Sequence, residues 1–176
     1  MSQMAAGPSK KVILIGAIGV GKTSLVRRLV HKEFQGDYLA TVGFDIYSYK
    51  VSAKATGLPH DVDLVLWDSD GEFGPEIFHT PITKGASAAV IIGDVVRRSS
   101  LEEMVRLAEG CRTHLSGREY MFIINKIDLI EGKPRPELPE PLARFPDKLF
   151  WTSAKTGRQV DETFTQIAKA ISRRGY

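Results

Sequence analysis

A chain of 176 residues, 43% of them hydrophobic, is long enough for one domain with a sizeable core, and none of its apolar runs approaches the ~18 residues of a membrane span. Its net charge of +3 comes from lysines and arginines spread along the sequence, with no dense basic cluster and no interleaved aromatics, which excludes a nucleic-acid reader. The opening MSQMAAGPSK lacks the apolar core of a signal peptide, the single cysteine cannot form an internal disulfide, and four scattered histidines (31, 60, 79 and 114) lack zinc-ligand spacing, so a reducing cytoplasm is the expected compartment.

In chain order, residues 1–9 read as a flexible lead-in and 10–176 as one domain. KVILIG (11–16), DLVLW (63–67), AAVIIGD (88–94), YMFIIN (120–125) and KLFW (148–151) are short apolar runs that predict buried strands. FDIYSYKV (44–51) alternates and is followed by the turn-rich ATGLPHD, which predicts an antiparallel hairpin at a sheet edge. Helices are expected over 22–32, 100–115 and 160–173. The second opens on Ser99-Ser100-Leu101-Glu102, a capping-box pattern. Cys111 continues its apolar stripe with Leu101, Met104, Val105 and Ala108, and so reads as plain core. Residues 131–147 carry five of the nine prolines and predict a surface excursion with at most a helical turn or two. Strands alternating with helices at this spacing predict an α/β three-layer sandwich: a six-stranded, mostly parallel sheet with one antiparallel edge strand. Ligands of such sheets sit beyond the carboxyl ends of the strands.

The first strand is followed by GAIGVGKTS (16–24), a match to G-x-x-x-x-G-K-[ST] at Gly16, Gly21, Lys22 and Thr23. This pattern predicts a P-loop NTPase. Glycines let the backbone wrap a phosphate so that the N–H groups of Gly19 through Ser24 (Gly19, Val20, Gly21, Lys22, Thr23, Ser24) face it, helped by the positive end of the following helix. Lys22 would reach the β- and γ-phosphates and the Thr23 hydroxyl would ligate Mg²⁺. The fifth run ends in Asn125-Lys126-Ile127-Asp128, an N-K-x-D pattern. An acid there can accept hydrogen bonds from the N1–H and 2-amino group of guanine, donors that adenine lacks. Ser153-Ala154-Lys155 begins 25 residues past Asp128, where a backbone N–H can reach the guanine carbonyl.

Together these segments make residues 10 to 173 resemble a small GTPase of the Ras superfamily, most like the Rab branch. FQGDYLATVGFD (34–45) resembles that family's first switch. The resemblance assigns Phe34 to packing against guanine, Tyr38 to closing over the phosphates, and Thr41 to binding Mg²⁺ and sensing the γ-phosphate. WDSDGEF (67–73) then falls where relatives have W-D-T-A-G-Q-E. That makes Asp68 the acid that holds Mg²⁺ through water and Gly71 the donor to the γ-phosphate. Read alone, the three acids of this stretch invite a calcium loop, but alignment on Gly71 puts Leu66 and Ile77 where ligands are needed.

Three residues depart from the family pattern. Asp70 replaces a small apolar residue, Glu72 stands at the place of the water-positioning glutamine, and Ile18 occupies a phosphate-loop position that is Gly or Ser in most relatives. The resemblance implies a GTP/GDP switch, with Lys22, Thr41, Gly71 and Glu72 as the catalytic set and effectors, exchange factors and an activating protein as partners. The departures imply slow hydrolysis. They also keep open a nearly inert GTP-loaded binding module, while a P-loop ATPase or small-molecule kinase is disfavoured by N-K-x-D. The ending SRRGY carries no prenylation cysteine and the second residue is Ser, so no direct lipid anchor is expected in this chain.

Overall fold

The structure, a computed structural model, describes residues 7–36 and 41–175. Its elements run β1 (Ser9–Ile15), α1 (Lys22–His31), β2 (Phe44–Val51), α2 (Ala53–Thr56), β3 (Val62–Ser69), β4 (Ala88–Asp94), α3 (Arg98–His114), β5 (Glu119–Asn125), α4 (Glu140–Ala143), β6 (Leu149–Trp151) and α5 (Val160–Arg173). A 3₁₀ segment, Gly71–His79, follows β3. Among the described residues no helix is long and apolar enough to cross a membrane.

The strands form one sheet in the order β2-β3-β1-β4-β5-β6. Only β2 is antiparallel to its neighbour; the other pairings are parallel. This is the α/β three-layer sandwich expected from the alternation of apolar runs. Period-2 alternation splits the central strands between two cores. Val12 and Leu14 face the layer of α1 and α5, with Leu25, Phe164 and Ile171, whereas Ile13 and Ile15 face α3 and the 3₁₀ segment, with Phe78, Met104 and Cys111. Strands buried on both faces must be apolar throughout, and all seven residues of β4 are buried.

Strand β1 opens at Ser9, which pairs with Asp63, and the Asp63 N–H donates to the Pro8 carbonyl (3.2 Å). Two expectations are corrected. The capping box does not form. α3 starts at Arg98 with Arg97 as its N-cap and no side-chain cap, and the Ser100 hydroxyl reaches back to strand β4 instead. The proline-rich excursion is also more than surface, since Leu142 in its helical turn α4 is fully buried.

The order places β1 between β3 and β4, so the connections leaving β1 and its neighbours diverge to opposite faces of the sheet. That switch point, at the carboxyl ends of the strands, is where open α/β sheets leave a crevice. The loops after β1, β3, β4, β5 and β6 meet there.

Candidate functional site

The phosphate loop turns between β1 and α1. Gly21 has φ 99°, in the left-handed region, and a Cβ on it would lie 2.3 Å from the Asn125 amide nitrogen. Glycine is therefore required twice over, for its backbone and for the close approach of the base-side loop. Asn125 donates to the Val20 carbonyl (3.0 Å), and the Lys126 ammonium donates to the Gly19 carbonyl (2.6 Å) and to buried Asp94 (2.7 Å). N-K-x-D thus bolts two loops together as well as presenting Asp128. Asp128 accepts from the Ser153 hydroxyl (2.6 Å), which fixes its carboxylate. Ala154 N–H donates to the Asn125 side-chain oxygen (3.1 Å), and the loop is clamped from α1 by Arg28, which donates to the carbonyls of Ala154 (2.7 Å) and Lys155 (2.5 Å).

At the other end, Lys22 is buried and donates to the carbonyls of Gly16 (2.8 Å) and Ala17 (3.1 Å). Burial lowers its pKa to about 8, against the opposing pull of Asp68 and Asp70 and with the help of nearby Arg97. A buried ammonium held so weakly gains most from an arriving anion. Thr23 donates to Asp68 (2.5 Å) and shares a 2.8 Å hydrogen bond with the Thr41 hydroxyl. Because Thr23 spends its one proton on Asp68, Thr41 is the donor in that second bond.

These three side chains fit a hard divalent cation such as Mg²⁺, which takes oxygen ligands. Asp68 is fully buried, and among the described residues its Oδ1 has no hydrogen-bond partner. Burial pushes its pKa up to about 6, only partly offset by Thr23 and Lys22. An orphaned, desolvated carboxylate oxygen beside two hydroxyls has the donor chemistry a cation completes. Among the described residues no cluster of three His, Cys, Asp or Glu side chains competes for that role.

Between the two ends lies a cavity of about 300 Å³. Gly19, Gly21, Lys22, Thr23, Ser24, Phe34, Thr41, Gly71, Asn125, Lys126, Asp128, Ala154 and Lys155 line it, so most of the residues singled out in the sequence converge on one space. Val20, Asp68 and Ser153 are buried behind its wall. Tyr38 lies outside the described residues. Gly71 packs on the phosphate loop: a Cβ there would lie 2.6 Å from Ile18 N and 2.7 Å from its Cα.

The departures separate. Asp70 and Ile18 line the cavity, whereas Glu72 is exposed and donates its backbone N–H to the Asp70 carboxylate (2.9 Å). Sequence reasoning missed Asp94 and Arg28, whose partners are 32 and 126 positions away. An acid ending a wholly buried strand was the one available signal for Asp94.

The crevice at the strand ends, with a phosphate loop at one end and a clamped carboxylate at the other, defines a P-loop nucleotide-binding protein. A family model described as "Ras family" matches residues 11–173, and the chain belongs to that family. It is 32% identical over 171 residues to the Ypt/Rab-type GTPase YPT7 of Saccharomyces cerevisiae, covering 91% of this chain and 80% of that protein. It is also 34% identical over 169 residues to the Ras-related protein Rab-7b of Bos taurus (93% and 82%) and 30% identical over 164 residues to Rab-13 of the same species (92% and 79%). These relatives place it in the Rab branch of the small GTPases.

Proposed function

We propose that this chain is a cytoplasmic guanine-nucleotide switch that binds GTP and GDP with Mg²⁺, hydrolyses GTP slowly, and signals through effectors. One observation carries the switch. Thr41, from a segment outside the phosphate loop, meets Thr23 and Asp68 at a single point, so a ligand at that point orders a loop remote in sequence. When bound, Mg²⁺ would neutralise phosphate charge there. Thr23, Thr41 and Asp68 are the residues that would hold it. Lys22 would meet the β- and γ-phosphates, Gly71 N–H the γ-phosphate, and Asp128 the guanine edge. Loss of the γ-phosphate would release Thr41 and Gly71 together, the order–disorder device of such switches. Val42, Phe44 and Ile46, exposed large apolar side chains beside that segment, offer effectors and exchange factors a face that changes with it.

A second reading, a nearly inert GTP-loaded module, is favoured by Asp70, a cavity-lining residue whose negative charge opposes the charge that hydrolysis develops on the phosphate. Single-turnover GTP hydrolysis separates the two. The base assignment rests on Asp128 and has its own test. Competition of ATP and GTP against a fluorescent guanine nucleotide should show GTP strongly preferred. Asp128→Asn, which replaces an acceptor with a donor, should cost GTP about 3 kcal/mol, roughly a hundredfold. ATP competing on equal terms with GTP on the wild type would refute the guanine assignment.

A further inference from the structure

Arg97 ends the connection leaving β4 and is fixed at its root. Its N–H donates to the Asp94 carbonyl (3.1 Å), and its own carbonyl accepts from both the N–H (2.9 Å) and the hydroxyl (2.7 Å) of Ser100. From there the guanidinium reaches the phosphate loop and donates through Nη2 to the Ile18 carbonyl. The neighbouring Arg98 points elsewhere, to Glu102 and the Glu137 carbonyl. Among the described residues no carboxylate forms an ion pair with Arg97. A cation held by one backbone carbonyl, on a loop built for anions, is unusual and calls for a partner.

We propose that Arg97 is this chain's own arginine for the γ-phosphate: it exchanges the Ile18 carbonyl for a phosphate oxygen of bound GTP and stabilises the charge that builds there during hydrolysis. The proposal rests on the reading above that the chain hydrolyses GTP. Its geometry comes from Ile18, which lines the cavity and is 43% exposed at the rim where Gly71 packs. That is the γ-phosphate end of the loop. The guanidinium also lies within electrostatic reach of the Lys22 ammonium. A bond from arginine to a phosphate oxygen is roughly twice as strong as one to a neutral carbonyl, so the exchange is favourable once GTP is bound. In the step it assists, a water oxygen attacks the γ-phosphorus and the bond from that phosphorus to the β–γ bridging oxygen breaks. Its electron pair stays on the β-phosphate of GDP, and a water proton passes to the departing inorganic phosphate.

An internal arginine also gives the Ile18 departure a sense. The branched side chain obstructs an arginine inserted from outside, whereas Arg97 approaches from the α3 side and uses the same residue's backbone as its rest. Arginine supplied in cis is an established alternative to arginine supplied by a partner.

The test compares wild type, Arg97→Ala, Arg97→Lys and the control Arg98→Ala. Each is assayed for single-turnover GTP hydrolysis, for fluoroaluminate uptake by the GDP complex with no activating protein present, and for GDP affinity. Wild type and Arg98→Ala should take up fluoroaluminate unaided. Arg97→Ala should lose that uptake and hydrolyse GTP at least about tenfold more slowly, with GDP affinity kept within about threefold. Arg97→Lys should recover little, because an ammonium does not reproduce the planar fork. If GDP affinity falls as far as the rate, Arg97 only holds the loop and the proposal is overturned. It is equally overturned if hydrolysis and fluoroaluminate uptake survive in Arg97→Ala, or if wild type binds GTP yet does neither. A wild type that fails to bind GTP would instead overturn the functional reading beneath it.

Discussion

A carboxylate beside a triphosphate raises the cost of binding it, and of the two acids in WDSDGEF that depart from the family pattern only Asp70 lines the cavity. It also accepts the Glu72 N–H (2.9 Å) as the cap of the 3₁₀ segment, so alanine would confound two roles. Asparagine keeps the acceptor and removes the charge. Asp70→Asn should shift the preference for GTP over GDP by about 1 kcal/mol, close to fivefold, and raise the single-turnover rate. Glu72→Gln, at an exposed position, should raise that rate less. Displacement of a fluorescent nucleotide gives the first quantity and quenched hydrolysis the second; a slower Asp70→Asn would mean that the carboxylate is itself a working group. At this scale the motif residues were legible because their backbone spacing is dictated by the phosphate they wrap. Arg28 and Asp94 were not, since each acts on a loop that only the folded sheet brings near.

The elements themselves were read almost to their ends, because strands buried on both faces are apolar without interruption and announce their own bounds. α3 is the instructive exception. Ser-Ser-Leu-Glu looks like a cap, yet the helix has already begun at Arg98, because the chain leaving β4 turns on its own hydrogen bonds first. Val96 N–H donates to the Asp94 carboxylate (3.0 Å), and the Ser100 hydroxyl accepts from Asp94 N–H (2.9 Å) while donating to the Arg97 carbonyl. No local pattern announces such a tie between a strand end and a helix interior. The two serines therefore make opposite predictions. Ser100→Ala leaves a buried N–H unpaired and should cost about 1–3 kcal/mol of stability, whereas Ser99→Ala, at an exposed position inside the helix, should lie within about 0.5 kcal/mol of wild type. Urea unfolding of both variants decides between them, and equal large losses would restore the capping box.

Residues of the site come from both sides of the sheet. The phosphate loop feeds α1 over one core, while the connection after β4 feeds α3 over the other. The asparagine and lysine of N-K-x-D tie the loops of both halves together. Binding should therefore stabilise the molecule as one cooperative unit. Cys111 can report on this, because it is fully buried in α3, in the core layer opposite α1. Burial pushes its thiol up to about 12 from an ordinary 9.0, so thiol reagents should reach it only when the layer opens. With GDP and Mg²⁺ at about a hundred times their dissociation constant, labelling should slow about a hundredfold if both layers open together. Labelling that nucleotide leaves unchanged would mean that α3 opens alone. The same thiol sets a pH dependence whose sign is fixed. Folded, it keeps its proton to about 12; unfolded, it loses it near 9.0. Unfolding thus releases a proton only above pH 9, so this contribution is complete below that pH. It falls away as pH rises from 9 toward 12, by up to about 1.4 kcal/mol per pH unit. Urea midpoints of wild type and Cys111→Ala measured from pH 8 to 10.5 should therefore converge as the pH rises. Parallel curves would show that the thiol ionises as easily in the folded protein as in the unfolded one.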